Sequence, residues 1–252
     1  MKVAIFSAFP QELTCLIKSL RAEKVSSFPF IIRSARSASK EIIIVQSGMG
    51  VDISETAWKH VIEGYSPDAV VSAGFCGAFY EGATIGDLIG ASYVMLYPDM
   101  AETGPAGAHQ YDLMEIPGAA ETIRKMAHAV TVYEGSLLTL GRWMRKSEVA
   151  KESLQGLSYP ICDMETFPLA RLSLRAGLPF FAIKAVTDRA HEEIPQELFN
   201  VTDTDGRFSF LRALGVILGN PALIPSSIRM GKNAGVASQK LRQATEELIR
   251  IL

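Results

Sequence analysis

Three acidic residues, Glu12, Glu165 and Asp188, lie at or just beyond the ends of segments that have the pattern of buried β-strands. A Gly-rich stretch at residues 74–77 (GFCG) follows a fourth such segment. Ligands of open α/β sheets bind beyond the carboxyl ends of the strands, so we expect these residues to meet on one rim. Carboxyl groups gathered there are able to donate or accept protons. Each acid also has a plainer interpretation as a helix cap or turn residue, which stays open at this point.

The elements that must position these residues alternate between strand and helix. Strands are predicted at residues 1–9, 28–33, 41–46, 69–73, 88–96, 132–140, 160–163 and 180–186. Helices are predicted around residues 13–20, 53–65, 119–129, 147–157 and 208–218, and another opens in the stretch at 162–170 and stops at Gly177; the stretch at 74–77 is predicted to be a turn. Short connections between alternating elements indicate an α/β fold around a mainly parallel or mixed sheet.

The last 22 residues have a different character. A narrow apolar seam recurs at helical spacing there, formed by Ala237, Leu241, Ala244 and Leu248. This pattern predicts a terminal helix that docks on the body of the protein or on a second subunit.

Composition excludes several classes of protein. The chain has 252 residues, 48% of them apolar, and a net charge of −2, which gives no sign of bulk binding to nucleic acid. No apolar run reaches membrane-spanning length, and residues 1–9 lack the long apolar core of a signal peptide. The cysteines, Cys15, Cys76 and Cys162, are odd in number and far apart, so we expect neither a disulfide framework nor a metal cluster. A reducing cytoplasm is the expected location.

Five short motifs carry a resemblance to a known family. They are SGMG at 47–50, PD at 67–68, GD at 86–87, DME at 163–165 and AVTD at 185–188. Each is weak alone, but the ordered set across residues 1–190 resembles the nucleoside phosphorylase and nucleosidase superfamily. The start, SAFPQE at 7–12, looks most like the methylthioadenosine/S-adenosylhomocysteine nucleosidase branch. The DME motif and the tail, with DGR at 205–207 and NP at 220–221, are similar to the hopanoid-associated phosphorylase branch.

The resemblance implies a fold and an assembly. It implies a three-layer α/β/α arrangement with a central mixed, partly barrel-like sheet. Residues 1–252 would form a single domain with a C-terminal helical extension from about residue 207. The family forms oligomers, so a homo-oligomer is expected. No metal or organic cofactor is implied, and phosphate would be a co-substrate only if the reaction is phosphorolysis.

The resemblance also implies a reaction, cleavage of the N-glycosidic bond of a purine nucleoside, with adenine as the expected base. Breaking this bond requires protonation of the base, stabilisation of a positively charged ribose and attack by a nucleophile. By resemblance, Asp188 is the acid, Glu165 holds the ribose hydroxyls with Met164 packed on the sugar, and Glu12 activates water. Asp163 is expected to have a local structural role at the start of the next helix.

The remaining candidate site residues have less specific expected roles. Gly74 and Phe75 are expected to line the ligand, although Phe75 stands where nucleosidases commonly have Ser. Lys184 occupies a position often held by Arg in the family, and it is expected to pair with a site carboxylate, bind phosphate or simply be neutralised at a strand end. Trp143 is either a base-stacking residue or an ordinary core tryptophan.

Alternatives remain open for function and location. The substrate could be an adenosyl-lipid such as adenosylhopane, a futalosine-type nucleoside could be hydrolysed instead, or the chain could bind nucleosides without turnover. The basic residues of the tail are either solvated helix charge or a peripheral contact with anionic lipid; they are Arg229, Lys232, Lys240 and Arg242. The loops at 97–118 and 199–210 are expected to select the group on the ribose 5′ carbon.

Overall fold

The computed structural model describes residues 1–97, 113–198, 215–216 and 219–252. Within them the strands are β1 (Lys2–Ser7), β2 (Glu23–Ser26), β3 (Ile31–Ser37), β4 (Lys40–Gln46), β5 (Ala69–Ala78), β6 (Leu88–Tyr97), β7 (Met114–Glu115), β8 (Tyr133–Leu140), β9 (Ile161–Asp163) and β10 (Phe180–Asp188). The α-helices are α1 (Thr14–Ser19), α2 (Val51–Tyr65), α3 (Ala119–Met126), α4 (Thr166–Arg175) and α5 (Ile224–Ile251). Short 3-10 turns include Lys146–Glu148 and Lys151–Leu154.

Five strands close on themselves to form the centre of the sheet. β5 pairs with β10 in parallel, β10 with β6 antiparallel, β6 with β8 in parallel, β8 with β9 in parallel, and β9 returns antiparallel to β5. From β5 the sheet continues outward through β1, β4, β3 and β2. The sheet is therefore mixed and partly barrel-like, and the predicted fold class is confirmed.

The strands around β5 are apolar because they are covered on both faces. Residues 3–6 of β1 and residues 69–73 of β5 are all buried, as expected for parallel strands enclosed by helices. On one side α5 packs on β10 and β5 and contacts α1 and α3, while α2 packs against α4. This arrangement fixes the carboxyl ends of β5 and β10 next to each other, with the short strand β9 beside the end of β5.

The C-terminal helix docks on the body of the same chain. Ala237, Leu241, Ala244 and Leu248, the four residues of the predicted seam, are all buried in the single chain. The prediction of a helical extension from about residue 207 falls partly outside the described residues, so the domain boundaries stay a prediction. No helix among the described residues is both long enough and apolar enough to cross a membrane.

Two local predictions are wrong. The stretch at 74–77 is not a turn, because β5 continues through it: Gly74 pairs with Lys184 of β10, and Gly77 pairs with both Asp188 of β10 and Cys162 of β9. Pairing on both edges of β5 overrides the turn preference of glycine. The helix expected at 147–157 is replaced by the two short 3-10 turns. Most of the helix expected at 208–218, and most of the two specificity loops, lie outside the described residues.

The docking of α5 leads to a stability prediction. Leu241→Ala removes a fully buried side chain and is expected to lower the free energy of unfolding by about 2–5 kcal/mol, because the cavity that it leaves fills only partly. Urea denaturation measures this change. The matched control is Ile228→Ala on the same helix, where the side chain is 55% exposed and the expected change is about 0.5 kcal/mol or less. Equal effects of the two variants would contradict the docking of the seam.

Candidate active site

Glu12 is a buried acid in the segment between β1 and α1. Its Oε2 accepts a hydrogen bond from the backbone N–H of Phe9 at 2.9 Å, and its Oε1 accepts one from the N–H of Phe75 at 2.8 Å. Burial raises the pKa of Glu12, against the opposing charge of Lys184 and the backbone hydrogen bonds. The side chain is thus fixed at both oxygens and binds its proton more tightly than a glutamate in water.

Lys184 is the buried cation of the site and forms an ion pair with Asp163. Its Nζ lies 2.8 Å from Asp163 Oδ2 and donates to Ser72 Oγ at 3.0 Å. Burial alone would lower the pKa of Lys184, but the carboxylates of Asp163, Glu165 and Glu12 together raise it above the ordinary value. Lys184 therefore keeps its charge and neutralises part of an acidic cluster.

Asp163 anchors the start of α4, as predicted from the sequence. It accepts hydrogen bonds from the backbone N–H and the hydroxyl of Thr166, and from Thr139 Oγ1 at 2.9 Å. With Lys184 as a further partner, its carboxylate is fully committed to local structure. This leaves Glu165 as the acid of the DME motif that is available for a ligand.

Glu165 occupies the position immediately before α4 and is buried. Its Oε1 accepts from the backbone N–H of Gly50 at 3.0 Å, and its Oε2 accepts from the N–H of Met164 at 3.2 Å. Burial, with the nearby charges of Asp163 and Glu12, raises the pKa of Glu165 to about 8 in spite of Lys184. At neutral pH this side chain is largely a neutral carboxyl, which is able both to donate and to accept a hydrogen bond.

Asp188 is the last residue of β10 and is buried beside a second lysine, Lys146. Lys146 Nζ lies 2.6 Å from Asp188 Oδ2, and Thr187 Oγ1 donates to Asp188 Oδ1 at 2.9 Å. Burial raises the pKa of Asp188, while the charge of Lys146 acts in the opposite direction. The sequence did not single out Lys146, because it lies 42 residues away from Asp188 and belongs to none of the family motifs.

The two glycines of β5 are needed for space at the acids. A Cβ atom at Gly74 would lie 2.7 Å from Glu12 Oε1, and one at Gly77 would lie 2.6 Å from Asp188 Oδ2. Real Cβ atoms do not come this close to another atom, so any other residue would displace these carboxyl groups. The carboxyl groups of Glu12 and Asp188 therefore pack against the backbone of one strand, at two glycines that lie three residues apart.

The structure brings most of the predicted site residues to one end of the central strands. Glu12, Glu165 and Lys184 form one charged cluster, and Asp188 lies four residues beyond Lys184 on β10. The hollow that would join the cluster to Asp188 stays a prediction, as do the catalytic roles of these side chains.

The remaining candidates have mixed surroundings. Phe75 contributes its backbone N–H to Glu12, and its half-buried side chain packs on the main core. Met164 is half-buried against a second apolar cluster that contains Leu138, Leu140 and Cys162. Trp143 is half-buried in the segment after β8, which is compatible with either of its two interpretations.

The thiols near the site are inert. Burial, followed by the charge of Asp188, raises the pKa of Cys76 well above its usual range and that of Cys162 to about 12. A thiol that stays protonated is a poor nucleophile. This supports the interpretation of Cys76 as a small buried side chain.

Comparison with known proteins identifies the family. The family model of the phosphorylase superfamily matches residues 2–209. The chain therefore belongs to the phosphorylase superfamily, and the expected class of enzyme, nucleosidases and nucleoside phosphorylases, is confirmed.

The individual relatives and solved structures have low sequence identity to this chain. The 5′-methylthioadenosine/S-adenosylhomocysteine nucleosidase of Shewanella sp. (strain MR-7) is 26% identical over 244 residues, covering 91% of this chain and 100% of the relative. The structure of the nucleosidase of the same name from Neisseria meningitidis, in complex with methylthio-immucillin-A, has a TM-score of 0.72 at 19% identity and covers 100% of this chain and 99% of that one. A futalosine hydrolase mutant of Helicobacter pylori strain 26695 has a TM-score of 0.68 at 17% identity, with coverage of 98% and 99%.

The buried ion pair predicts a large effect of removing Lys184. Lys184→Met leaves Asp163 buried without its cation, and we expect a loss of about 3–5 kcal/mol in the free energy of unfolding. The control is Lys125→Met, which breaks an exposed pair with Glu121 and is expected to leave the free energy of unfolding nearly unchanged. Guanidinium denaturation of both variants measures the two losses. A loss at Lys184 as small as that at Lys125 would show that Asp163 does not depend on the lysine.

The raised pKa of Glu165 predicts a pH dependence of stability. The folded state binds this proton more tightly than the unfolded state, so the stabilisation is complete below about pH 4.5 and is lost as pH rises through about 8. Glu165→Gln has no carboxyl group to titrate at this position, so the variant should not lose this stabilisation as pH rises. The free energy of unfolding of the variant minus that of the wild type should increase from pH 4.5 to 8 and then level off. Glu121→Gln, at an exposed position, is the control, and a flat difference for Glu165→Gln would contradict the assigned pKa.

Proposed function

We propose that this protein hydrolyses the N-glycosidic bond of an adenine nucleoside, with Asp188 as the acid, Glu165 as the ribose-binding residue and Glu12 as the base that activates water. The observation that carries the proposal is the buried cluster of Glu12, Glu165 and Lys184 beside the end of β10, within a chain of the phosphorylase superfamily.

Asp188 has the surroundings that a general acid needs. A carboxyl group donates a proton well when its pKa lies near the working pH, and burial raises the pKa of Asp188 towards that range. Its proton passes to a ring nitrogen of the purine, the bond from C1′ to the base breaks, and the bonding electrons leave with the base. The base then departs as a neutral molecule rather than as an anion.

Glu165 is suited to hold the ribose. A neutral carboxyl at the start of the reaction donates to one hydroxyl and accepts from another, so both sugar hydroxyls can be held by one side chain. As positive charge develops on the ribose, the oxygen of Glu165 that accepts the hydroxyl stabilises this charge by its partial negative charge, and Glu165 keeps its own proton. Met164, which precedes Glu165, offers an apolar surface for the sugar.

The charges of the cluster favour water over phosphate as the nucleophile. Phosphate needs cationic side chains and free backbone N–H groups. Lys184 is only 2% exposed and is committed to Asp163 and Ser72, and the N–H of Phe75 already binds Glu12. An anion there would be repelled by Glu12, which must be ionised to act as the base. A water molecule beside Glu12 meets no such repulsion, since Glu12 takes its proton as the oxygen bonds to C1′.

The substrate is proposed from the relatives and not from the geometry. The relatives at 26% identity are named for methylthioadenosine and S-adenosylhomocysteine, which favours an adenine nucleoside substituted at the 5′ carbon. The expectation of adenosylhopane draws no support from the relatives named here. A futalosine-type substrate is retained as an arm of the test, because the futalosine hydrolase shares the fold.

The decisive experiment measures release of the free base from methylthioadenosine, S-adenosylhomocysteine, adenosine, inosine and futalosine, each with and without inorganic phosphate. The proposal predicts that the adenine nucleosides release adenine at the same rate in both conditions, and that the sugar product is the free ribose with its 5′ substituent rather than the corresponding 1-phosphate. Release that requires phosphate would identify a phosphorylase. Tight binding without release would identify a binding module.

The proposed roles of Asp188 and Glu12 predict a loss of kcat when either side chain is replaced. Asp188→Asn removes the proton donor and should lower kcat by about 10²–10⁴-fold, and Glu12→Gln removes the base and should have an effect of similar size. The control is Glu121→Gln, at an exposed position on α3, which should leave kcat unchanged. Wild-type kcat in Asp188→Asn would exclude Asp188 as the acid.

A further inference from the structure

Lys146 belongs to the segment between β8 and β9, yet its ammonium group binds the end of β10 and the residue that follows it. Its Nζ lies 2.6 Å from Asp188 Oδ2, and it donates to the main-chain oxygen of Asp188 at 3.1 Å and to that of Arg189. A lysine ammonium has three N–H groups, and here three acceptors are present. Lys146 is therefore saturated and has no proton left for a ligand.

A second contact joins the same two segments, and here the side chain belongs to the segment after β10 and the backbone to the segment after β8. The carboxylate of Glu193 accepts from the backbone N–H of Lys146 at 3.1 Å and from that of Ser147 at 3.2 Å. The segment after β8 and the segment after β10 are thus held together from both sides. Trp143 lies three residues before Lys146 on the first of these segments.

We propose that Lys146 is a positioning residue for Asp188: it holds Oδ2, so that Oδ1, which accepts one hydrogen bond from Thr187 Oγ1, carries the proton towards the purine, and it fixes the acid against the segment that carries Trp143. This inference rests on the proposed role of Asp188 as the proton donor. Lys146 does not touch the reacting atoms, and no proton leaves it during the reaction. Its effect on catalysis passes entirely through Asp188.

The charge of Lys146 gives this role a measurable consequence. The charged or titratable groups that interact with Asp188 include Lys146, Glu192, Cys76 and Cys162. Among these four groups, Lys146 is the cation that opposes the effect of burial, and both thiols stay protonated. Removing the ammonium therefore raises the pKa of Asp188 further. Because the reaction needs protonated Asp188, kcat/KM falls as pH rises through this pKa, and the fall should move to higher pH in the variant.

The test uses Lys146→Met, Lys146→Arg, and Lys151→Met as the matched control, since Lys151 is an exposed lysine on the next 3-10 turn. The pKa of the Asp188 carboxyl is followed by 13C NMR, and kcat/KM for methylthioadenosine is measured against pH. In Lys146→Met we expect the pKa of Asp188 and the falling limb to rise together by about 1–3 pH units. We also expect kcat/KM at neutral pH to drop by about 10–100-fold from the lost position of the acid. Lys146→Arg, which keeps the charge, should restore the wild-type limb, and Lys151→Met should match the wild type throughout.

The pKa of Asp188 and the release of base are separate measurements, and together they distinguish a failure of this inference from a failure of the proposed function. An unchanged pKa of Asp188 in Lys146→Met, in an enzyme that turns over substrate, would overturn the role of Lys146 alone. A shifted pKa in a protein that releases no base would uphold the contact and overturn the proposed function. Thermal unfolding confirms that each variant is folded, and Lys146→Gln, which keeps a donor but not the charge, replaces Lys146→Met if the latter does not fold. In that case an unshifted pKa in Lys146→Gln overturns the inference.

Discussion

The site depends on one buried positive charge among three acids. Lys184 is paired directly with Asp163, and its charge also acts on Glu12 and Glu165. Without a cation, nothing would offset the cost of burying ionised carboxyl groups so close together. Lys184 pairs with Asp163, which serves as a structural anion, and it lowers the pKa values of Glu165 and Glu12, which burial nevertheless keeps above their ordinary values. The division of labour between structural and reactive acids follows from this arrangement.

The second constraint is the lack of side chains on β5. Gly74 and Gly77 allow the carboxyl groups of Glu12 and Asp188 to rest against the backbone of one strand. A strand is stiffer than a loop, so the spacing between the proposed base and the proposed acid is set by strand geometry. The proposed base and the proposed acid are near different lysines: the charge of Lys184 acts on Glu12, and Lys146 is paired with Asp188.

Much of the fold could be predicted from local patterns, and the errors have physical reasons. The alternation of buried strands with amphipathic helices predicted the mixed sheet, and the apolar seam predicted α5. The GFCG stretch was assigned as a turn because glycine favours turns in isolation, whereas here pairing with β9 and β10 extends the strand. The acids of the site could be named from ordered motifs. Lys146 could not, because nothing in its local sequence reveals a contact with a strand end 42 residues away.

The most direct test of the account is a crystal structure with a non-hydrolysable adenine nucleoside analogue bound. We expect one ligand molecule to contact both Asp188 and Glu165, with a ring nitrogen of the base within hydrogen-bond distance of Asp188 Oδ1. The ribose hydroxyls should lie within the same distance of Glu165, and a water molecule should lie between Glu12 and C1′. An analogue that contacts Glu165 while its base lies away from Asp188 would contradict the account.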